Sequence, residues 1–264
     1  MDEISRTNRR RWNDLAAAGV EYSRPWLDLD AAEATRRVDP LGLLGDLTGR
    51  AVLCLAGGGG QQSAAFGLLG AEVTVFDLSD EMLARDVSAA AHYGLEIETI
   101  QGDVADMSAL ETGRFDVVWQ AHSLSFIRDL DALFDGVVRV LRSPGIYHVC
   151  GWNPLACGAD ERWTGKGYLL QDGYVEGAEA VCGDGYWDLT DTDGRARRVL
   201  GPHEFRHTLT AWINGLIRRG FRLVDVHEEP HGSSDAEPGS WEHFCSVAPP
   251  WLVVWARRED SPAA

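Results

Sequence analysis

Apolar residues along this chain change period several times, and each change marks an element. Residues 51–56 (AVLCLA) form a continuous apolar run, and further strands are predicted at 72–77, 96–101, 115–121 and 145–151. Between them apolar positions return every three or four residues over 61–70, 79–93 and 128–142. In the last stretch Leu130, Leu133, Phe134, Val137, Val138 and Leu141 make one stripe, stopped by Pro144 and Gly145. Strands alternating with amphipathic helices predict a parallel sheet covered on both faces. Residues 12–39 read as amphipathic helix broken at Pro25 and Pro40. A further helix is predicted at 203–219, ended by Gly220, and strands at 221–227 and 251–256.

Residues 152–200 break this rhythm. They hold Trp152, Trp163, Trp187, Tyr168, Tyr174, Tyr186 and many glycines and acids. That is too aromatic for a disordered linker and predicts a cap of irregular structure, with short strands at 168–175 and 186–189. The expected organisation is one α/β domain over 1–264. It has an N-terminal helical lid (1–45), a cofactor-binding core (46–151), the cap (152–200) and a closing helix with strands (201–264).

The most informative stretch joins the first strand to the first core helix: Gly57, Gly58, Gly59, Gly60, Gln61 and Gln62. Twenty residues after Gly57 the second strand ends in Asp77. Glycines let a backbone approach a ligand, and a helix start offers unpaired N–H groups. A carboxylate at the end of the second strand can accept both hydroxyls of a ribose. This predicts an adenosine-containing cofactor.

Composition narrows the partners. Net charge is −17 over 264 residues, so a nucleic-acid partner is disfavoured, and Arg9, Arg10 and Arg11 read as a solvated helix face. No run of 18 apolar residues exists, so no membrane partner is expected. The five cysteines (Cys54, Cys150, Cys157, Cys182, Cys245) lack a CxxC pair, and Cys54 and Cys150 lie in apolar strand patterns. No metal site is expected from that spacing, and a reducing, cytoplasmic setting fits. The pattern leaves the oligomeric state open.

Three further stretches separate the cofactors that share a glycine turn: Gly102-Asp103-Val104, the strand from Phe115 to His122, and the helix–strand–insertion–strand ending. With residues 73–83 (VTVFDLSDEML) and 140–145 (VLRSPG), the chain resembles the class I S-adenosylmethionine-dependent methyltransferases. The turn, with the closing WEHF and PPWL segments, resembles a bacterial group acting on small molecules. The resemblance implies a doubly wound, Rossmann-like sheet of seven strands, mainly parallel, with the last strand antiparallel. It implies S-adenosyl-L-methionine as cofactor, S-adenosyl-L-homocysteine as product and a small-molecule acceptor methylated on oxygen or nitrogen. One departure stands out: the acid usual in the first strand, two residues before the turn, is absent, with Cys54 and Ala56 in those places.

On this reading the cofactor contacts are Gly57, Gly58, Gly59, Gln61, Gln62, Asp77, Leu78, Met82, Asp103 and Val104. Gln120 and Ala121 would border its methionine portion, and Tyr22 would reach it from the lid. His122 and His207 are the candidate proton acceptors, with His243 a weaker one. Asp116, at the entry of its strand, and His148, mid-strand, read as structural. Two alternatives remain: an NAD-dependent oxidoreductase and a non-catalytic homologue. The oxidoreductase lacks a Tyr-x-x-x-Lys pair, since Lys166 is the sole lysine and Arg162 precedes it by four residues.

Overall fold

A computed structural model describes residues 1–180, 185–191, 193–229 and 232–259. Cys182 lies outside the described residues.

The sheet forms where the apolar runs predict it. Its strands are β1 (Ala51–Leu55), β2 (Glu72–Asp77), β3 (Ile97–Gln101), β4 (Phe115–Gln120), β5 (Leu141–Trp152), β6 (Phe221–Glu228) and β7 (Trp251–Arg258). Their order is β6-β7-β5-β4-β1-β2-β3. The pairs β1–β2, β1–β4, β2–β3 and β4–β5 are parallel, and β7 is antiparallel to both β5 and β6. This is the doubly wound, Rossmann-like seven-stranded sheet with an antiparallel last strand. β1 is buried at all five positions, because helices cover both faces of the sheet centre.

The helices are α1 (Glu3–Ala17), α2 (Ala31–Val38), α3 (Gln62–Leu68), α4 (Asp80–Tyr93), α5 (Leu130–Val140), α6 (Leu209–Arg218) and α7 (Trp241–Val247). Side-chain caps define most starts: Ser79, Asp129 and Thr208 accept from Met82, Ala132 and Ala211 N–H. One core cluster joins Leu53, Leu55 and Val118 to Leu133, Phe134, Val137 and Trp212. The other joins Val52, Cys54 and Val75 to Phe66, Trp119 and Trp255. The order turns round between β1 and β4, which leaves a crevice at the carboxyl ends of these strands.

Several boundaries differ from the sequence pattern. The first helix starts at Glu3, not 12, because the Asp2 carboxylate accepts from Ser5 N–H at 2.8 Å. The helix expected at 203–219 starts at Leu209, after a two-stranded ladder between Glu204–Phe205 and Glu179–Ala180. In the cap only Leu169–Leu170 is strand within 168–175, paired with Ala159–Asp160. Tyr186–Thr190 pairs with Ala196–Leu200 as a hairpin.

Candidate functional site

The glycine turn is held from beneath by two buried carboxylates. Asp77, at the end of β2, accepts from Gly58 N–H at 2.9 Å and from Ser79 N–H at 2.8 Å. Asp86, from α4, accepts from Gly59 N–H at 2.9 Å, Gly60 N–H at 3.0 Å and the Ser63 hydroxyl at 2.5 Å. Burial pushes the Asp86 carboxyl up to about 7, against the pull of those donors. Burial likewise raises Asp77, offset in part by the Ser79 and Gly58 N–H groups. Asp86 escaped the sequence reading, yet a signal was present. It falls in the buried stripe Met82, Leu83, Asp86, Ala89, Ala90 of α4, where an acid needs a reason.

The turn is as tight as its composition implies. A Cβ on Gly58 would sit 2.7 Å from Met82 Cβ and 3.0 Å from the Asp77 carboxyl. Gly60 has φ +74°, and a Cβ there would meet Arg85 O at 2.7 Å. Cys54 is fully buried beneath Gly57, so no carboxylate stands at the strand position where the family usually has one.

The N-terminal segment lies over the turn. Trp26 N–H donates to Gly60 O at 3.1 Å, and Gln61 Nε2 donates to Arg24 O at 3.0 Å. Tyr22 O comes within 3.1 Å of where a Gly59 Cβ would stand. α1 is tied down by Arg9 and Asn13 on Asp80 at 3.2 and 3.0 Å, and by Arg11 on Gly201 O at 2.8 Å. The arginine run therefore fastens α1 to α4 and to the edge of the cap.

One cavity of about 2080 Å³ runs from the turn to the cap. Of the expected cofactor contacts, Tyr22, Gly57, Gly58, Gln61, Gln62, Asp77, Leu78, Met82, Asp103, Val104 and Ala121 line it. Gly59 does not; its N–H faces Asp86. Gln120 does not either; it is fully buried in the sheet, where its Oε1 accepts from the Tyr147 hydroxyl at 2.5 Å. The Asp103 carboxylate accepts from Ala105 N–H at 3.0 Å, a turn-forming contact. The same cavity is lined by Phe126, Trp152, Glu161, Glu176, Trp187, Glu204, Glu229, Trp241 and Trp251. Trp12 and Phe126 meet edge-on at 5.1 Å, and Trp12 and Tyr22 each meet Trp187 at 6.0 Å. Burial pushes the Glu204 carboxyl up to about 7, although Trp187 hydrogen-bonds to it.

The histidines separate by position. His122 follows β4, lines the cavity and has φ +50°, a left-handed conformation rare outside glycine. His207 is 7% exposed and does not line the cavity. Its Nδ1 meets Glu176 Oε1 at 2.7 Å and its Nε2 meets Ile127 O at 2.8 Å. The proton-acceptor role expected for His207 is thus not supported: it lies before α6, buried away from the cavity, and joins the cap to the loop after β4. His243 Nδ1 meets the Tyr168 hydroxyl at 2.7 Å, joining α7 to the cap. His148 is buried against Trp119, with ring centroids 3.6 Å apart, and its Nδ1 has no hydrogen-bond partner. Asp116 is structural, accepting from Ala51 N–H at 2.9 Å and pairing with Arg142 at 2.8 Å.

Comparison with known proteins supports the same reading. The methyltransferase domain family matches residues 53–149. The uncharacterized methyltransferase YbaJ of Bacillus subtilis is 30% identical over 190 residues, 70% of this chain and 71% of that protein. The ubiquinone biosynthesis O-methyltransferase of Xanthomonas oryzae is 35% identical over 114 residues, 41% of this chain and 46% of that protein. Among solved structures, an S-adenosylmethionine-dependent methyltransferase from Mesorhizobium loti has a TM-score of 0.58 at 23% identity, covering 88% of this chain and all of that one. The sheet order, the glycine turn and these likenesses agree: the chain belongs to the class I S-adenosylmethionine-dependent methyltransferases.

Proposed function

We propose that this chain moves the methyl group of S-adenosylmethionine onto an oxygen or nitrogen of a small organic acceptor. The observation that carries this reading is the continuity of the cavity. The glycine turn and Asp77 line it together with Trp152, Trp187 and Glu204. Donor and acceptor can therefore meet in one continuous cavity.

Gly57, Gly58, Asp77, Leu78, Met82, Asp103, Val104 and Ala121 are the residues that would hold the cofactor, with Tyr22, Gln61 and Gln62 above it. They fit it: the turn offers bare backbone at Gly58, where a side chain would fill the cradle. When bound, the cofactor supplies a methyl group already activated on a cationic sulfur. The chain's own work is alignment and exclusion of water, which the aromatic wall of Trp12, Tyr22, Phe126 and Trp187 performs. His122, on the cavity wall, is placed to take the acceptor's proton. His207 acts through Glu176 and the cap, as a positioning residue.

Glu161, Glu176, Glu204 and Glu229 on the cavity wall support an amine or polyhydroxylated acceptor. The name of the Xanthomonas relative, an O-methyltransferase, supports oxygen as a target. Cys54, Cys150, Cys157 and Cys245 are free thiols, which supports a reducing compartment. Titration with S-adenosylhomocysteine in a calorimeter should give saturable binding. Incubation with S-adenosylmethionine and a panel of phenols, polyols and amines should release S-adenosylhomocysteine with a methylated product. Absence of binding at high micromolar ligand would overturn the reading.

A further inference from the structure

Three side chains far apart in sequence converge at the crevice edge of the sheet: His122 after β4, Cys150 in β5 and Glu229 after β6. β6 runs parallel to β5 because β7 is antiparallel to both, so all three strands bring their carboxyl ends to the same edge. One imidazole nitrogen, the thiol sulfur and one carboxylate oxygen all lie within 4.8 Å of one another. Cys150 Sγ is 3.4 Å from His122 Nδ1 and 3.8 Å from Nε2. Zinc bonds of ~2.0–2.1 Å to nitrogen and ~2.3 Å to sulfur, at a tetrahedral angle, set these two atoms about 3.6 Å apart. One ring nitrogen alone binds an ion, and the Sγ–Nδ1 separation of 3.4 Å is the one close to that value.

The surroundings hold the group in place. Cys150 is 1% exposed, so its sulfur faces the cluster and not bulk water. Trp251 packs edge-on against the His122 ring, with centroids 4.7 Å apart, and both residues line the cavity. The left-handed backbone at His122 turns its ring back over the end of β5. Glu229 N–H donates to Trp251 O at 3.2 Å, which anchors the third arm to β7.

We propose that His122, Cys150 and Glu229 form a divalent metal site selective for zinc that faces the cavity, with no fourth protein ligand among the described residues. The mixed nitrogen, sulfur and oxygen donors favour zinc over magnesium or calcium, which take oxygen ligands. Three protein ligands and one open position is the pattern of a catalytic zinc site. This assignment stands on the cluster's geometry. Its role rests on the methyl-transfer reading above: the open position takes a hydroxyl of the acceptor. Binding lowers that hydroxyl's pKa, so its proton leaves to solvent and His122, held as a ligand in the metal-bound form, is not the base there. The oxygen then bonds to the methyl carbon as the methyl–sulfur bond breaks, its electron pair returning to sulfur.

The test uses the full chain, stripped with chelator and titrated with Co²⁺ as a coloured stand-in and with Zn²⁺ itself. One equivalent of Co²⁺ should give a thiolate-to-cobalt charge-transfer band and tetrahedral visible bands, bleached by one equivalent of Zn²⁺. C150S should lose the charge-transfer band, while C245S keeps it. H122A and E229Q should each weaken zinc binding on the order of 100-fold in a chromogenic chelator competition. Should C150S fail to fold, the H122A and E229Q competitions decide alone. No cobalt band in the wild-type chain, a band that survives C150S, or unchanged zinc affinity in H122A would overturn the site. Calorimetry with S-adenosylhomocysteine on the same wild-type preparation separates the two readings. Cofactor binding without metal binding removes the zinc site and leaves methyl transfer standing.

Discussion

Asp86 shows how much one buried acid can organise. It takes three donors from the turn and the start of α3, so the conformation of Gly59 and Gly60 depends on it. Replacing it with alanine strands two buried N–H groups, at ~1–3 kcal/mol each. D86A should therefore lower unfolding stability by roughly 2–6 kcal/mol and weaken S-adenosylhomocysteine binding. Chemical denaturation and calorimetry on the same preparation measure both. The neighbouring glycines make the complementary test. G58A places a methyl 2.7 Å from Met82 Cβ and against the Asp77 carboxyl, so it should impair cofactor binding more than tenfold (~1.4 kcal/mol). At G60A the clash is with backbone and φ is positive, so lost stability should dominate lost affinity. Equal effects of the two substitutions would contradict this division.

At the scale of elements, the cap is fastened by a few polar joints. Glu176 binds His207 through one oxygen and Thr208 N–H, at the start of α6, through the other. Tyr174 adds a bond to Leu209 N–H at 2.7 Å, and Arg206 pairs with Asp172. H207A leaves the Ile127 carbonyl and one Glu176 oxygen without this partner while the sheet stays intact. Proteolysis within 158–180 should quicken, and the KM for the acceptor should rise with S-adenosylhomocysteine affinity unchanged. A matching fall in cofactor affinity would place His207 in the cofactor site instead. These joints were hidden in the sequence because they link residues some 30 to 80 positions apart. The sheet and its helices were legible because Leu130, Leu133, Phe134 and Val137 keep one period throughout α5. α1 was read short because Ile4, Trp12 and Leu15 are too sparse to show a stripe, and its start is set by Asp2. α7 has seven residues, too few for a period to register. The convergence of His122 and Cys150, 28 positions apart, depends on β4 pairing with β5, which spacing alone does not reveal.

At the scale of the whole molecule, buried titratable groups set how stability varies with pH. Asp86 and Glu204 have folded pKa values of about 7, above ordinary values of 3.8 and 4.5. Their protonated forms favour the fold, so their contribution is complete below about pH 4 and is lost as pH rises through 7. Asp77 is raised by burial and acts in the same sense. His148 opposes them: burial depresses it well below 6.5, so its contribution is lost as pH falls below 6.5. Between pH 8 and 6.5 the two carboxyls gain roughly 1 kcal/mol each on acidification, while the histidine loses less than half of that. The net charge of −17 adds self-repulsion that eases as acids protonate. The melting temperature should thus rise by a few degrees (~2–4 °C per kcal/mol) from pH 8 to 6.5, and turn over at lower pH. In E204Q the rise should shrink, since the glutamine is neutral throughout, and in D86N it should shrink by a similar amount against a lower baseline. Scanning calorimetry at constant ionic strength checks this. A melting temperature that falls from pH 8 to 6.5 would mean that the donors around Asp86 outweigh its burial, and that the turn is held by a full negative charge.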